Sequence, residues 1–456
     1  MKRHTLVGVY GPNDSHQVLA AADGEQITLL DLVSKQGGLA HGIGQAVTDL
    51  QKLGVNPTDL AIDLVILAAH VQAADTHISR TTESQDSWTR EIKIVVPVSD
   101  ENEWKKAESE LERCLNFLTG DLWKVRFRKR PEGHSYPQPK STLPFDPPFD
   151  CVSLFSGGLD SLIGAIDLVA NGASPLLVSH VSEGAVSDAQ TKCFDEIRLN
   201  YPKSKINRLR MWMGFSGFRI SADIEKTTRA RSFLFFSLGV LAGSGLKNNF
   251  ILRVPENGLI ALNVPLDPLR LGSHSTRTTH PFYIARWNRI LSLIGIQGRI
   301  ENPYFDKTKG EMVKECVNQS LLRKLIPVSL SCSSPSKGRW KGGNPVEHCG
   351  YCLPCLIRRA AILKGLGARL DPTTYTVNDL TSRTLNSAAA EGKQIRSFQL
   401  AIEKLRKNPM LARILIHLPG SLADESPSLH TKLEDVYRRG MEEVNELLKG
   451  VLTRPK

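Results

Sequence analysis

The apolar positions of this chain fall into short runs on either side of a proline-rich stretch. Ahead of it, the runs at 63–68 and 91–97 and the segment 123–128 predict strands, and the spacing over 103–118 predicts a helix. Residues 1–130 thus read as an accessory domain of small α/β or α+β type. From 131 to 148, six of eighteen residues are proline. Proline lacks a backbone donor and fixes φ, so 131–148 reads as a semi-rigid linker.

Beyond the linker, strand-like runs at 151–155, 174–179, 206–211 and 249–253 alternate with helical stretches at 159–170, 187–199 and 228–246. Strands alternating with helices predict an α/β domain built on a doubly wound parallel sheet, here over 149–365. From 366 to 456 the pattern is helical and polar. Leu433, Val436, Tyr437, Met441, Val444, Leu447 and Leu448 form one apolar stripe at helical spacing, and Pro419 and Pro427 flank a loop before it. This C-terminal extension is expected to pack on the core or on a partner.

Composition narrows the class. With 41% hydrophobic and 23% charged residues the chain resembles an ordinary globular protein. No run reaches the roughly 18 apolar residues of a membrane span; the nearest, 233–246, is broken by serine and glycine. The basic start Met1-Lys2-Arg3-His4 is followed by too short an apolar stretch, 6–10, for a signal peptide. A cytoplasmic location with reduced thiols is expected. Lys+Arg 58 against Asp+Glu 47 leaves a net charge of +11, which suits an anionic partner. Because the excess is spread out, a nucleotide-sized anion is favoured over nucleic acid.

The strongest motif is Ser156-Gly157-Gly158-Leu159-Asp160-Ser161, between an apolar strand ending at Phe155 and a helix. Unpaired N–H groups at a helix start favour an anion, and glycines let the backbone approach a phosphate. The hydroxyls of Ser156 and Ser161 add donors. Asp160 beside an anion makes sense if it holds Mg²⁺ that bridges the phosphates. Val178 and Ser179, ending the next strand, stand at the sheet's carboxyl edge, where a ligand can meet backbone groups. No Gly-Lys-Ser or Gly-Lys-Thr occurs, which argues against a Walker-type NTPase. The glycine-rich 37–44 has the wrong spacing for a dinucleotide loop and reads as a loop or helix start.

Cys332, Cys349, Cys352 and Cys355 have the spacing C-x16-C-x2-C-x2-C. Four thiols at this density in a reduced compartment read as a closed, structural Zn²⁺ site, with Gly350 in its turn and Pro354 opening a helix. The remaining Cys114, Cys151, Cys193 and Cys316 are isolated.

The string Ser-Gly-Gly-Leu-Asp-Ser resembles the PP-loop of the N-type ATP pyrophosphatases, which cleave ATP between the α- and β-phosphates and adenylate a substrate oxygen. Cys349-Gly-Tyr-Cys352-Leu-Pro-Cys355 followed by Arg358-Arg359 is similar to the signature of their QueC (7-cyano-7-deazaguanine synthase) family. Arg231-Ser232-Phe233-Leu234-Phe235 resembles its Arg-Asn-x-x-Phe helix start, with serine in place of asparagine. Lys307-Thr308-Lys309-Gly310-Glu311 resembles its Thr-Lys-x-Glu helix. The resemblance spans about 150–365 in order, and the added front domain and tail resemble the QueC-like proteins of bacterial anti-phage operons, the QatC group of the Qat system in particular.

The resemblance implies an ATP-dependent ligase. It would adenylate a 7-carboxy-7-deazaguanine-like acid and pass the acyl group to ammonia or to an amine of a protein partner from the same operon. In that reading Arg231 and Lys309 join Asp160 and Ser161 as catalytic residues, as cations on the phosphates, and Val178 and Ser179 would meet adenine through backbone groups. Arg277, Thr278, His280, Glu256 and Asn257 are candidates for contact with the substrate. Two other readings stand beside it. A tRNA thiolase would need a reactive thiol, for which Cys193 is the one spare candidate. A non-catalytic nucleotide-binding subunit would bind ATP without releasing AMP.

Overall fold

The computed structural model describes residues 2–455 apart from 13, 15–23, 35–36, 85, 132–146, 182–183, 247–248, 268–276, 334, 336–346 and 369. The expected proline-rich linker falls almost entirely outside these residues.

Two parallel sheets dominate. In the front one, β1 (Arg3–Val9), β2 (Glu25–Asp31), β3 (Glu91–Val98) and β4 (Leu122–Lys129) stand in the order β2-β1-β3-β4. α1 (Ile43–Lys52) lies against Asn207–Met211 of the second sheet, while α2 (Asp59–His77) and α3 (Glu108–Thr119) pack on the front one. The second sheet has the order β9-β8-β5-β6-β7, from β5 (Cys151–Leu154), β6 (Pro175–His180), β7 (Asn207–Met211), β8 (Phe250–Arg253) and β9 (Gly298–Glu301). Its helices are α4 (Leu159–Ala170), α5 (Gly184–Asn200), α6 (Arg231–Ser244), α7 (Pro281–Leu293), α8 (Lys309–Glu315) and α9 (Leu353–Leu366). The tail adds α10 (Ala390–Lys407) and α11 (Pro427–Leu447). The mixed α/β class with parallel sheets agrees with the alternation in the sequence.

Three local expectations are corrected. Residues 63–68 lie inside α2 and form no strand. Apolar positions continue through Ala69, Val71, Ala73 and Ala74, far beyond the length of a strand, and the Thr58 hydroxyl caps the helix start by accepting from the Ala61 N–H at 3.3 Å. A helix that is apolar all round is buried, and α2 lies between β1, β3 and α6. The helix expected over 103–118 is broken into Glu101–Lys105 and α3. The break follows Trp104, whose indole donates to Asp63 and packs on Phe127. The second sheet also gains β9, whose four residues are too few to announce themselves.

α6 in turn lies on β5, β6 and β8, so α2 and α6 are sandwiched between the two sheets. One continuous core runs from Leu6 to Ile300 through both. A second core fills the other face of the second sheet under α4, α5 and α8. A third joins α9, α10 and α11 to the short helix Gly258–Leu262. A buried charge cluster crosses the first seam. Arg90 pairs with Asp75 at 2.9 Å and Asp121 at 2.7 Å, and Asp75 also accepts from the main-chain N–H of Ala230 at 2.8 Å, just before α6. Among the described residues no helix is long and apolar enough to cross a membrane.

Candidate functional site

The order of the second sheet dictates where a ligand fits. From β5 the chain builds β6 and β7 to one side, then returns to build β8 and β9 on the other. The carboxyl ends of β5 and β8 therefore diverge, and a crevice opens between their loops. A cavity of about 300 Å³ lies there. Phe155, Ser156 and Ser161 line it after β5, Val178, Ser179 and His180 at the end of β6, Arg231 from α6, and Glu256 after β8.

Residues 156–161 make the turn from β5 into α4. Gly157 has φ of 79°, and a Cβ there would come within 3.0 Å of the Gln190 nitrogen, so this position requires glycine. Gly158 caps α4 without a side-chain acceptor. The turn's N–H groups meet serine hydroxyls through long contacts: Ser156 donates to Ser161 at 3.2 Å, Gly158 to Ser156 at 3.3 Å, and Leu159 to Ser331 at 3.3 Å. Such bonds are at the long, weak end of the range. Leu159 contributes only its backbone, since its side chain is in the core. The Val178 carbonyl is taken by the Phe155 N–H at 2.8 Å, and the Ser179 hydroxyl donates to the Phe155 carbonyl at 2.6 Å. Both residues form the cavity wall.

Asp160 lies at the first turn of α4, 9% exposed. Its Oδ2 accepts from Asn257 Nδ2 at 2.9 Å and faces Lys309 Nζ at 3.2 Å, while its Oδ1 is buried with no partner among the described residues. A buried carboxylate oxygen without a donor suits a hard cation. Asp160 and Lys309 do not line the cavity, but they are close enough to act on Glu256, which does. Burial pushes the Glu256 carboxyl up to about 7, and Asp160 adds to the rise while Thr279 and Lys309 oppose it. The Thr279 hydroxyl donates to Glu256.

The structure brings Ser161, Arg231 and Glu256 to one cavity and pairs Asp160 with Lys309 at its edge. The Arg231 guanidinium lies 5.0 Å from the centre of the Phe235 ring. Three substrate-contact candidates have other duties. Arg277 donates to the Phe117 carbonyl at 2.7 Å and covers its ring. His280 caps α7, its Nδ1 accepting from the Phe282 N–H at 3.2 Å. Asn257 is committed to Asp160 and to the start of its own helix. Thr278 does line the cavity. Cys193 is fully buried, and burial pushes its thiol up to about 12, so it is not a ready nucleophile.

Sequence reasoning missed His180, Ser331 and Glu443. Both ring nitrogens of His180 are buried without a partner among the described residues, and burial beside Arg231 lowers it to about 4, leaving a neutral ring in the cavity wall. Its place directly after Ser179, at a strand's carboxyl end, was the available signal. Ser331 and Glu443 carry no local pattern, because their partners are distant in the chain.

The four cysteines converge as their spacing predicts. Their sulfurs lie within 4.8 Å of one another, with Cys332–Cys352 and Cys349–Cys355 both at 3.9 Å. A zinc tetrahedron with bonds of about 2.3 Å has edges near 3.8 Å, so the set can hold a metal ion such as zinc. Gly350 makes the turn at φ 86°, and Cys352 with Pro354 opens α9. From α9, Arg358 reaches the Ser331 hydroxyl at 3.3 Å, which links the cysteine knuckle to the 156–161 turn. Set against known proteins, the chain matches no protein-family model and no curated protein.

Proposed function

We propose that this protein is an ATP pyrophosphatase of the PP-loop type that activates a carboxylate as its adenylate. The observation that carries the reading is the turn 156–161 at the diverging strand ends, with the unpartnered buried oxygen of Asp160 beside Lys309. The serine hydroxyls and N–H groups of the turn would hold the β- and γ-phosphates, and Asp160 would hold Mg²⁺, which neutralises charge on them. A carboxylate oxygen of the substrate attacks the α-phosphorus. The bond from that phosphorus to the bridging oxygen breaks, and pyrophosphate leaves with its electron pair. Arg231 and Lys309 stabilise the charge that builds on it.

For the substrate we infer a carboxylated purine-like ring of the 7-carboxy-7-deazaguanine kind, by resemblance to the QueC family, in the cavity that Glu256 and Thr279 line. Zinc in the cysteine knuckle is structural. The acyl group passes to ammonia or to a protein amine, in the setting of anti-phage defence that the added front and tail segments suggest. The inert environment of Cys193 weighs against thiolation.

The test is incubation with ATP, Mg²⁺ and 7-carboxy-7-deazaguanine, scoring AMP and pyrophosphate. The wild-type chain should release both in equal amounts, and Asp160→Ala should lower the rate at least about 100-fold. Nucleotide binding without AMP release would leave the protein a binding subunit.

A further inference from the structure

Both partners of Asp160 Oδ2 rest on the same distant element. Asn257 opens the short helix Gly258–Leu262, which packs on α11 through Leu259, Val436 and Tyr437. Lys309 opens α8, whose cap Thr308 donates its hydroxyl to Glu443 of α11. The other Glu443 oxygen accepts from the Gly310 N–H at 3.1 Å, and a Cβ at Gly310 would lie 2.5 Å from this carboxylate. The two segments also meet directly, the Gly258 N–H donating to the Lys307 carbonyl at 2.8 Å. One turn earlier on α11, Arg439 pairs with Glu311, the capping-box partner of Thr308, and donates to the Asp306 carbonyl at 2.9 Å. Val436, Arg439, Gly440 and Glu443 share one face of α11 at helical spacing.

A carboxylate at 8% exposure, holding a cap hydroxyl and a first-turn N–H, fixes where α8 begins. It thereby fixes the lysine at that helix's first position. We infer that α11 is a working part of the site, and that Glu443 is a positioning residue which sets Lys309 against Asp160. The inference rests on the roles proposed above for Asp160 and Lys309, and it gives the C-terminal extension a task in the chemistry.

The test compares the full chain with Glu443→Ala and Glu443→Gln by two readouts. The first is acetylation of Lys309 by acetic anhydride, read by peptide mass spectrometry against exposed Lys52. The second is the Mg²⁺ concentration needed for half-saturation with α,β-methylene-ATP. Loss of two hydrogen bonds to a buried carboxylate should raise Lys309 labelling about fivefold and the Mg²⁺ requirement about tenfold in Glu443→Ala. Glu443→Gln keeps an acceptor and should fall between, and it carries the test if the alanine variant does not fold. Glu446→Gln, at the exposed end of α11, should change neither readout. A lowered melting temperature with labelling and Mg²⁺ dependence unchanged would overturn the inference. If the wild-type chain binds no nucleotide, the ATP reading falls, and the labelling of Lys309 still decides whether Glu443 positions it.

Discussion

Glu256 shows how a single side chain can tie the site to the pH of the solution. Its carboxyl is lifted from the ordinary 4.5 to about 7, chiefly because burial disfavours its charge. The folded chain therefore holds this proton more tightly than the unfolded chain. Its contribution is fully present below 4.5, is lost as pH rises toward 7, and is flat above that, a change of up to about 3 kcal/mol. Glu256→Gln keeps the acceptor for Thr279 and removes the titration. Thermal unfolding without Mg²⁺ should show the wild type losing stability between pH 5 and pH 8 by about that amount more than the variant. Equal slopes would mean that the carboxyl ionises as freely in the fold as in the open chain. Of the site's residues, the SGGLDS string was legible because a glycine turn between a strand and a helix is a local pattern. His180 and Glu443 were not, because each acquires its surroundings from other elements.

At the turn from β5 into α4 the backbone geometry requires glycine. Gly157 has φ of 79°, with Gln190 of α5 directly beside it. Gly157→Ala adds left-handed strain and a close contact, so a loss of about 1–3 kcal/mol in denaturant unfolding is expected. Because α5 or the turn must shift, nucleotide binding should fall further than stability alone explains. The element scale is also where the pattern misled. A six-residue apolar run such as 63–68 is the same whether it is a buried strand or part of a buried helix, and its alanine-rich continuation to Ala74 is what decides. The interrupted helix near 106 depends on a tryptophan held by Asp63, which only the folded chain brings near.

Across the whole molecule, the site is held by three distant contributions. The front segment reaches it through the cluster of Arg90, Asp75 and Asp121, since Asp75 also holds the Ala230 N–H ahead of Arg231. Arg90→Ala would leave the buried carboxylates of Asp75 and Asp121 with Arg80 as their remaining cation. It should cost about 3–5 kcal/mol and weaken nucleotide binding, measured by unfolding and by calorimetry. The cysteine knuckle reaches it through Arg358 and Ser331. Stripping metal with a chelator, or Cys352→Ser, should lower the melting temperature and also reduce nucleotide affinity. A stability loss with affinity intact would separate the knuckle from the turn. The tail reaches it through Glu443.

The sequence by itself determined the alternation of strands and helices, the glycine turn before α4 and the cysteine set. Each of these depends on residues close together in the chain, whose spacing is the physics. Only the tertiary structure decided that α2 is a helix, that both sheets share one core, and that Asp160 stands between Asn257 and Lys309 on a seat made by α11. Those outcomes depend on which surfaces bury one another, and burial joins residues more than a hundred positions apart that no local pattern can pair.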